Sequence, residues 1–335
     1  MNGWIDVIRH QTRADTRLVT LDEIAAARSR IKRLARVTPL LDVSAPAGRP
    51  FFLKCENMQP AGAFKIRGAF NMVAQLTDEQ RRRGVITYSS GNHGQAMALA
   101  ARELGSPAVV VMPTTAPAIK IEGARAFGAE VILAGTTSAD RKTRAEAEAS
   151  ARGLTMVPPF DHAWIIAGQG TAGLEILEQR PDVAAVVVPI GGGGLVAGVA
   201  AALKQSNPAI RVVGVEPSGA AAMKASVDAG EPVTLAKTQS VADGLMPVRP
   251  GDLTFAHVQA FVDAVITVED PDIVKAVLWM FREAKLVAEP SGAAGVAAVL
   301  TGAVDSVISL DRNAPVVAIV SGGNIAIERL HALCP

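Results

Sequence analysis

The feature that most constrains this chain is a succession of short, unbroken apolar runs, each separated from the next by a stretch long enough for a helix. The runs are PFFLKCE (50–56), VITYS (85–89), AVVVMP (108–113), EVILAG (130–135), LTMVPPF (154–160), VAAVVVPI (183–190), IRVVGVEP (210–217), FVDAVITV (261–268) and PVVAIVSGG (315–323). A strand that is apolar throughout, rather than at alternate positions, has both faces covered, which means parallel sheet with flanking helices. The fold class is therefore α/β. The rhythm predicts a small αβ domain over 84–160, inserted into a larger domain made from 1–83 and 161–335. A ligand is expected in the cleft between the two lobes, at the C-terminal ends of strands.

At 335 residues and 49% hydrophobic content the chain can bury a large core. Its 33 basic and 32 acidic side chains nearly cancel, which argues against nucleic acid or an anionic membrane as a partner and favours a small molecule. No apolar run reaches membrane-spanning length, and the N-terminal MNGWIDVIRHQTRADTR lacks the apolar core of a secretion signal. Cys55 and Cys334 are too few for a disulfide framework or a zinc site, so a reducing cytoplasm is expected. Residues 1–19 read as an arm ahead of a helix that a Thr20–Glu23 capping box opens, and TDEQRRRG (77–84) reads as a polar turn.

Lys65 is the residue that needs explaining. Pro60, Gly62 and Phe64 predict a turn entering a helix, and Ile66, Gly68, Ala69 and Phe70 predict that the first turns of that helix are buried. Desolvation disfavours an ammonium, which frees the amine as a nucleophile or base and suits Schiff-base chemistry. A lysine that merely runs its stem along an apolar helix is the plainer alternative.

Three further stretches carry polar groups to strand ends. In SSGNHGQAMALAA (89–101), small polar residues precede a helix, whose N-terminal amides, with the hydroxyls of Ser89 and Ser90, would receive a carboxylate. Simple N-capping explains the same residues. His93 has no second histidine or carboxylate at metal-ligand spacing beside it. In VVVPIGGGGLVAGVAAAL (186–203), Gly191, Gly192, Gly193 and Gly194 would form a nest of N–H donors for a phosphate, the alternative being tight strand-to-helix packing. The run has neither the G-x-G-x-x-G spacing of a dinucleotide site nor the Lys-Ser/Thr of a nucleoside-triphosphate loop. In VSGGNIA (320–326), Ser321 would place a hydroxyl in the same cleft.

A buried lysine, a carboxylate loop and a phosphate loop together fit pyridoxal 5'-phosphate acting on an amino acid. The chain here resembles the fold type II pyridoxal-phosphate enzymes (tryptophan synthase β-like), and within them the threonine/serine dehydratase and serine racemase group. The likeness covers about residues 20–330 and rests on GAFKIRGA, SSGNHGQA, PPFDHAWIIAGQGT, VPIGGGGL, VAEPSGA and SGGN, which occur in that group's order. It implies that Lys65 holds the cofactor, Phe64 packs beside its ring, and Asn92 contacts its 3-hydroxyl. Gly191 to Gly194 with Leu195 would hold the phosphate, and Ser321 would face the pyridine nitrogen. Ser89, Ser90, Gly91, Asn92 and His93 would bind the substrate carboxylate, and the freed Lys65 amine would remove the Cα proton. Loss of the β-hydroxyl, tautomerisation and hydrolysis would then give a 2-oxo acid and ammonia.

Within that group, Ser90 matches a racemase serine that protonates the opposite face, whereas PPFDH (158–162), with Phe160, matches the dehydratases. Glu216 matches that group's divalent-cation carboxylate, although the second such position is Ala222 here, so a divalent or monovalent cation is left open as a further cofactor. The resemblance implies a homodimer. The chain ends soon after SGGN, so control through a C-terminal regulatory domain is not expected. VADGLMPVRPG (241–251) is expected to border the substrate side chain, where Leu245 and Met246 leave bulkier substrates such as a phenylserine or hydroxyaspartate open. The reading from another class is a nucleotide- or phosphosugar-binding protein without turnover, which leaves Lys65 and the 89–93 loop without a role.

Overall fold

The computed structural model describes residues 17–89, 91–116 and 118–333. Each of the apolar runs contains a strand. The ten strands among the described residues are β1 (Leu40–Asp42), β2 (Phe51–Lys54), β3 (Val85–Thr87), β4 (Ala108–Met112), β5 (Glu130–Leu133), β6 (Thr155–Met156), β7 (Ala185–Pro189), β8 (Arg211–Pro217), β9 (Ala264–Val268) and β10 (Val316–Ile319). They form a six-stranded sheet in the order β1-β2-β10-β7-β8-β9 and a four-stranded sheet in the order β5-β4-β3-β6. All pairings are parallel except β1 with β2, which is antiparallel.

Alternate residues of the large sheet feed opposite cores, which is why its strands are apolar throughout. Phe51, Leu53, Ala185, Val187, Val316 and Ala318 enter one cluster. Their neighbours Phe52, Val186, Val188, Val317 and Ile319 enter the other. The small sheet does the same, with Val85, Val110 and Met112 packed with Met97 on one face and Ile86, Val109 and Val111 with Ala145 on the other. Helices Ala163–Gln179 and Gly194–Ser206 cross where a Cβ on Gly170 would come within 2.8 Å of the Gly198 carbonyl.

Two local readings needed correction. TDEQRRRG is not a turn: Asp78–Arg83 is a helix with a capping box, the Thr77 hydroxyl accepting from the Gln80 N–H and the Gln80 side chain accepting from the Thr77 N–H. The T-x-x-Q spacing carried that signal. Strand β1 was not anticipated, because three residues after Pro39 are too short to show a period and owe their conformation to pairing with β2. The Thr20–Glu23 capping box is present as expected.

Beneath the helix Lys65–Ala74 lies a buried ionic cluster. Arg67 donates to Glu56 (2.7 and 2.8 Å), to Glu175 (2.7 and 2.8 Å) and to the Thr171 hydroxyl (3.0 Å). Lys54 donates to Glu175 (2.6 Å), the Thr38 carbonyl (2.9 Å) and Gln179 (3.0 Å). Every charge there is answered at least once, the condition under which buried ions are tolerated.

Candidate active site

Lys65 is the first residue of its helix. The chain reaches it through two short 3-10 turns, Glu56–Met58 and Pro60–Gly62, and the entry needs left-handed backbone at Ala61 (φ 63°) and Gly62 (φ 71°). The Phe64 N–H donates to the Ser321 carbonyl (3.0 Å) and the Gly323 N–H to the Gly62 carbonyl (2.9 Å), which ties this entry to the chain leaving β10. The lysine therefore stands at the C-terminal end of the large sheet, where open α/β folds bind ligands. Its Nζ donates to the Pro159 carbonyl (2.7 Å) and lies 5.1 Å from the centre of the Phe64 ring. Burial lowers its pKa to about 8, so a useful fraction of neutral amine exists near neutral pH.

Pro159 leads directly to the glycine loop. Phe160 packs its ring onto Gly192, where a Cβ would collide with it, and its Cα and Cβ against Gly194, where a Cβ would crowd it. Gly193 (φ 96°) lies under Met223 and Thr254, and a Cβ at Gly191 would come within 3.0 Å of the Gly244 carbonyl. The glycines thus admit other parts of the protein to the loop, and the packing explanation of the run is part of the truth. It does not account for the donors. Among the described residues no backbone or side-chain acceptor takes the N–H groups of Gly191, Gly192, Gly193, Gly194 or Leu195, at the start of the helix Gly194–Ser206. Gly192 to Leu195 are buried. Unpaired buried N–H groups are rare and costly, and a row of them at a helix N-terminus is an arrangement that an anion would complete.

Asn92 opens the helix Asn92–Glu103, whose N-cap, Gly91, has no side chain with which to cap it. The Asn92 amide donates to Glu289 Oε1 (2.6 Å) and accepts from Asn324 Nδ2 (2.9 Å), which fixes its orientation. Ser321 is buried, its hydroxyl 3.5 Å from the Ser291 carbonyl. The His93 Nε2 donates to the Val157 carbonyl (3.0 Å), its Nδ1 has no partner, and burial first and Lys65 second hold its pKa at about 3, so the ring is neutral. Ser89 accepts from the Gly91 N–H (3.4 Å). Ser90 lies outside the described residues.

Glu216 does not present a free carboxylate. Its oxygens accept from the N–H groups of Met223 (2.9 Å) and Lys224 (2.7 Å), anchoring the start of the helix Ala222–Ala229 and so the Met223 side chain against Gly193. No group of three or more His, Cys, Asp or Glu among the described residues could hold a metal ion. Leu245 lies beside the glycine loop, its Cα 3.3 Å from where a Cβ on Gly191 would stand. It is buried in the core beside Ala242, while the neighbouring Gly244 carbonyl faces Gly191.

Sequence reasoning missed Glu289. It is the N-cap residue of the helix Pro290–Leu300, yet its carboxylate caps nothing and turns to Asn92 instead. Burial first, then repulsion from Asp243, raises its pKa to about 7. An acid at the edge of an apolar run, directly before a helix-starting proline, was the available signal.

A desolvated lysine near a row of unpaired N–H groups, at the C-terminal end of a parallel sheet, suits an enzyme that holds a phosphorylated aldehyde. The chain belongs to the pyridoxal-phosphate dependent enzyme family, which matches residues 31–322. It is 43% identical to L-threonine ammonia-lyase of Thermotoga maritima over 320 residues, 94% of this chain and 78% of that one. It is 41% identical to serine racemase of Oryza sativa subsp. indica over 308 residues, 91% of each chain. The solved structure of maize serine racemase superposes with a TM-score of 0.91 at 40% identity, covering 94% of this chain and 97% of the other. The fold is accordingly that of the fold type II enzymes, and the family implies pyridoxal phosphate as cofactor. The lowered lysine pKa and the unpaired amides of the glycine loop fit that group.

Proposed function

We propose that the protein is a dehydratase that converts a β-hydroxy L-amino acid, threonine or serine foremost, to a 2-oxo acid and ammonia. The observation that carries this reading is the desolvated Lys65 beside a row of buried, unpaired N–H groups, in a chain 43% identical to a protein named L-threonine ammonia-lyase. Lys65 would bond the cofactor's aldehyde carbon, Gly191 to Leu195 its phosphate, Asn92 its 3-hydroxyl and Ser321 its pyridine nitrogen. When bound, pyridoxal phosphate supplies an electron sink for the pair left on the substrate's Cα.

The amines and amides of the chain do the rest. The N-terminus of the helix Asn92–Glu103 receives the substrate carboxylate, and His93 adds no charge there because it stays neutral. Freed when the substrate's amino group takes its place on the cofactor, the Lys65 amine would take the Cα proton and return a proton to the departing β-hydroxyl, which leaves as water. Hydrolysis restores one water, so threonine gives 2-oxobutanoate and ammonia, and serine gives pyruvate and ammonia. The Ser321 hydroxyl cannot keep the pyridine nitrogen protonated as a carboxylate would, which favours rapid loss of the β-substituent over a long-lived carbanion.

Racemisation is the second reading, supported by Ser90 and by the 41% identity to a serine racemase. The test is a product assay on purified enzyme with L-threonine, L-serine and a phenylserine, measuring 2-oxo acid and D-amino acid together. Mostly 2-oxo acid is expected; mostly D-serine would overturn the dehydratase assignment. Ser90→Ala is expected to abolish D-amino acid formation and spare dehydration. The assembly and compartment that go with this reading are a homodimer in the cytoplasm. Each Glu216 oxygen accepts one backbone bond, from Met223 or Lys224, and keeps a second lone pair with which it could meet a cation.

A further inference from the structure

The segment Pro159–Phe160–Asp161 touches three parts of the site in three consecutive residues. The Pro159 carbonyl meets Lys65, the Phe160 ring covers the glycine loop, and the Asp161 carboxylate caps the helix Asp252–Phe261. Asp161 Oδ1 accepts from the N–H groups of Leu253 (3.0 Å) and Thr254 (3.1 Å), and Oδ2 from that of Asp252 (3.1 Å). Only a glycine at 251 admits the carboxylate this closely, since a Cβ there would collide with it. The cap fixes the first turn of that helix, and with it Thr254, which is fully buried.

Thr254 acts back on the loop. Its hydroxyl donates to the Gly192 carbonyl (2.7 Å), which also accepts from the Gly251 N–H (3.4 Å). In a planar trans peptide the carbonyl and the following N–H point in opposite directions. Holding the Gly192 carbonyl on the helix therefore aims the Gly193 N–H away from it. At Gly193 the backbone is left-handed (φ 96°), a conformation that a glycine run does not hold by itself.

We propose that Thr254, held in place by Asp161, is a positioning residue that sets the Gly192–Gly193 peptide to donate to the cofactor phosphate. The inference rests on the glycine loop as the phosphate's seat. Without the hydroxyl, the Gly192 carbonyl keeps only its long bond to Gly251 and the peptide is free to rotate. The energetic consequence falls on phosphate binding, with none on the aldehyde or the ring.

The test titrates cofactor-free protein separately with pyridoxal phosphate and with pyridoxal, following the absorbance of the bound forms, and reads the ratio of the two dissociation constants. Thr254→Val, close in shape, is expected to reduce the preference for the phosphorylated form about tenfold, the usual consequence of leaving a buried acceptor short of its donor. Pyridoxal affinity should be unchanged and Thr254→Ser should restore the ratio. Asp161→Asn, which keeps the shape of the cap and removes its charge, is expected to lose part of the same ratio, and it replaces Thr254→Val if that variant does not fold. An unchanged ratio in the variant that folds, or an equal loss for both ligands, overturns the positioning role. If the unaltered protein shows no preference for the phosphorylated form, the glycine loop itself has been misread, and the positioning role falls with it.

Discussion

Two buried polar regions flank Lys65, and they are built on opposite rules. Two residues along the helix, Arg67 has carboxylates on both sides, Lys54 shares one of them, and each ion is matched by partners 2.6–3.0 Å away. Across Pro159 and Phe160, the glycine loop buries a row of N–H groups that no acceptor in the described protein takes. A closed network of that kind holds helices to the sheet, whereas an open one is stable only if something else completes it. The contrast separates architecture from binding within one helix length of the same lysine.

The largest effect expected from breaking the contrast is at Lys65. Lys65→Ala should lower turnover at least about a thousandfold, since on the proposed reading it removes both the bond to the cofactor and the base. Its thermal midpoint should stay near that of the unaltered protein, both measured without cofactor. Arg67→Met should do the reverse. It leaves Glu56 and Glu175 without their guanidinium, which costs about 3–5 kcal/mol for a buried pair broken on one side. Denaturant titration should show that loss, and the folded fraction should keep its preference for pyridoxal phosphate over pyridoxal.

A smaller effect sharpens the same distinction at Glu289, where a nearly closed network retains one titratable member. Its folded pKa of about 7 lies above the ordinary 4.5, so its contribution to stability is complete below pH 4.5 and is lost as pH rises to about 7. The loss amounts to up to about 3 kcal/mol for this group. Glu289→Gln should remove that slope, making the cofactor-free variant relatively more stable at pH 8 than at pH 5. Glu216 titrates in the same direction, but it is present in both proteins and cancels in the difference. An identical pH dependence in the two proteins would contradict the raised pKa.

Much of the fold was legible because unbroken apolar strands follow from burial on both faces, as Val186, Val187 and Val188 show by alternating between two cores. Lys65 and the four glycines were legible for a related reason: each is an expensive residue where it stands, one by desolvation and the others by chain entropy. Strand β1 was not, since its conformation comes from a partner strand and leaves no period of its own. Nor were the roles of Asp161, Thr254 and Glu289. Asp161 and Glu289 stand in segments whose letters were read, but what they touch lies 91 to 197 residues away in sequence. Spacing along the chain carries no trace of such a contact.

The most direct measurement is borohydride reduction of the protein after incubation with pyridoxal phosphate, followed by peptide mapping by mass. The account predicts a stable pyridoxyl adduct on the peptide containing Lys65, and loss of the visible absorbance band on reduction. An adduct on another lysine alone, or no adduct and no colour after cofactor addition, would contradict it.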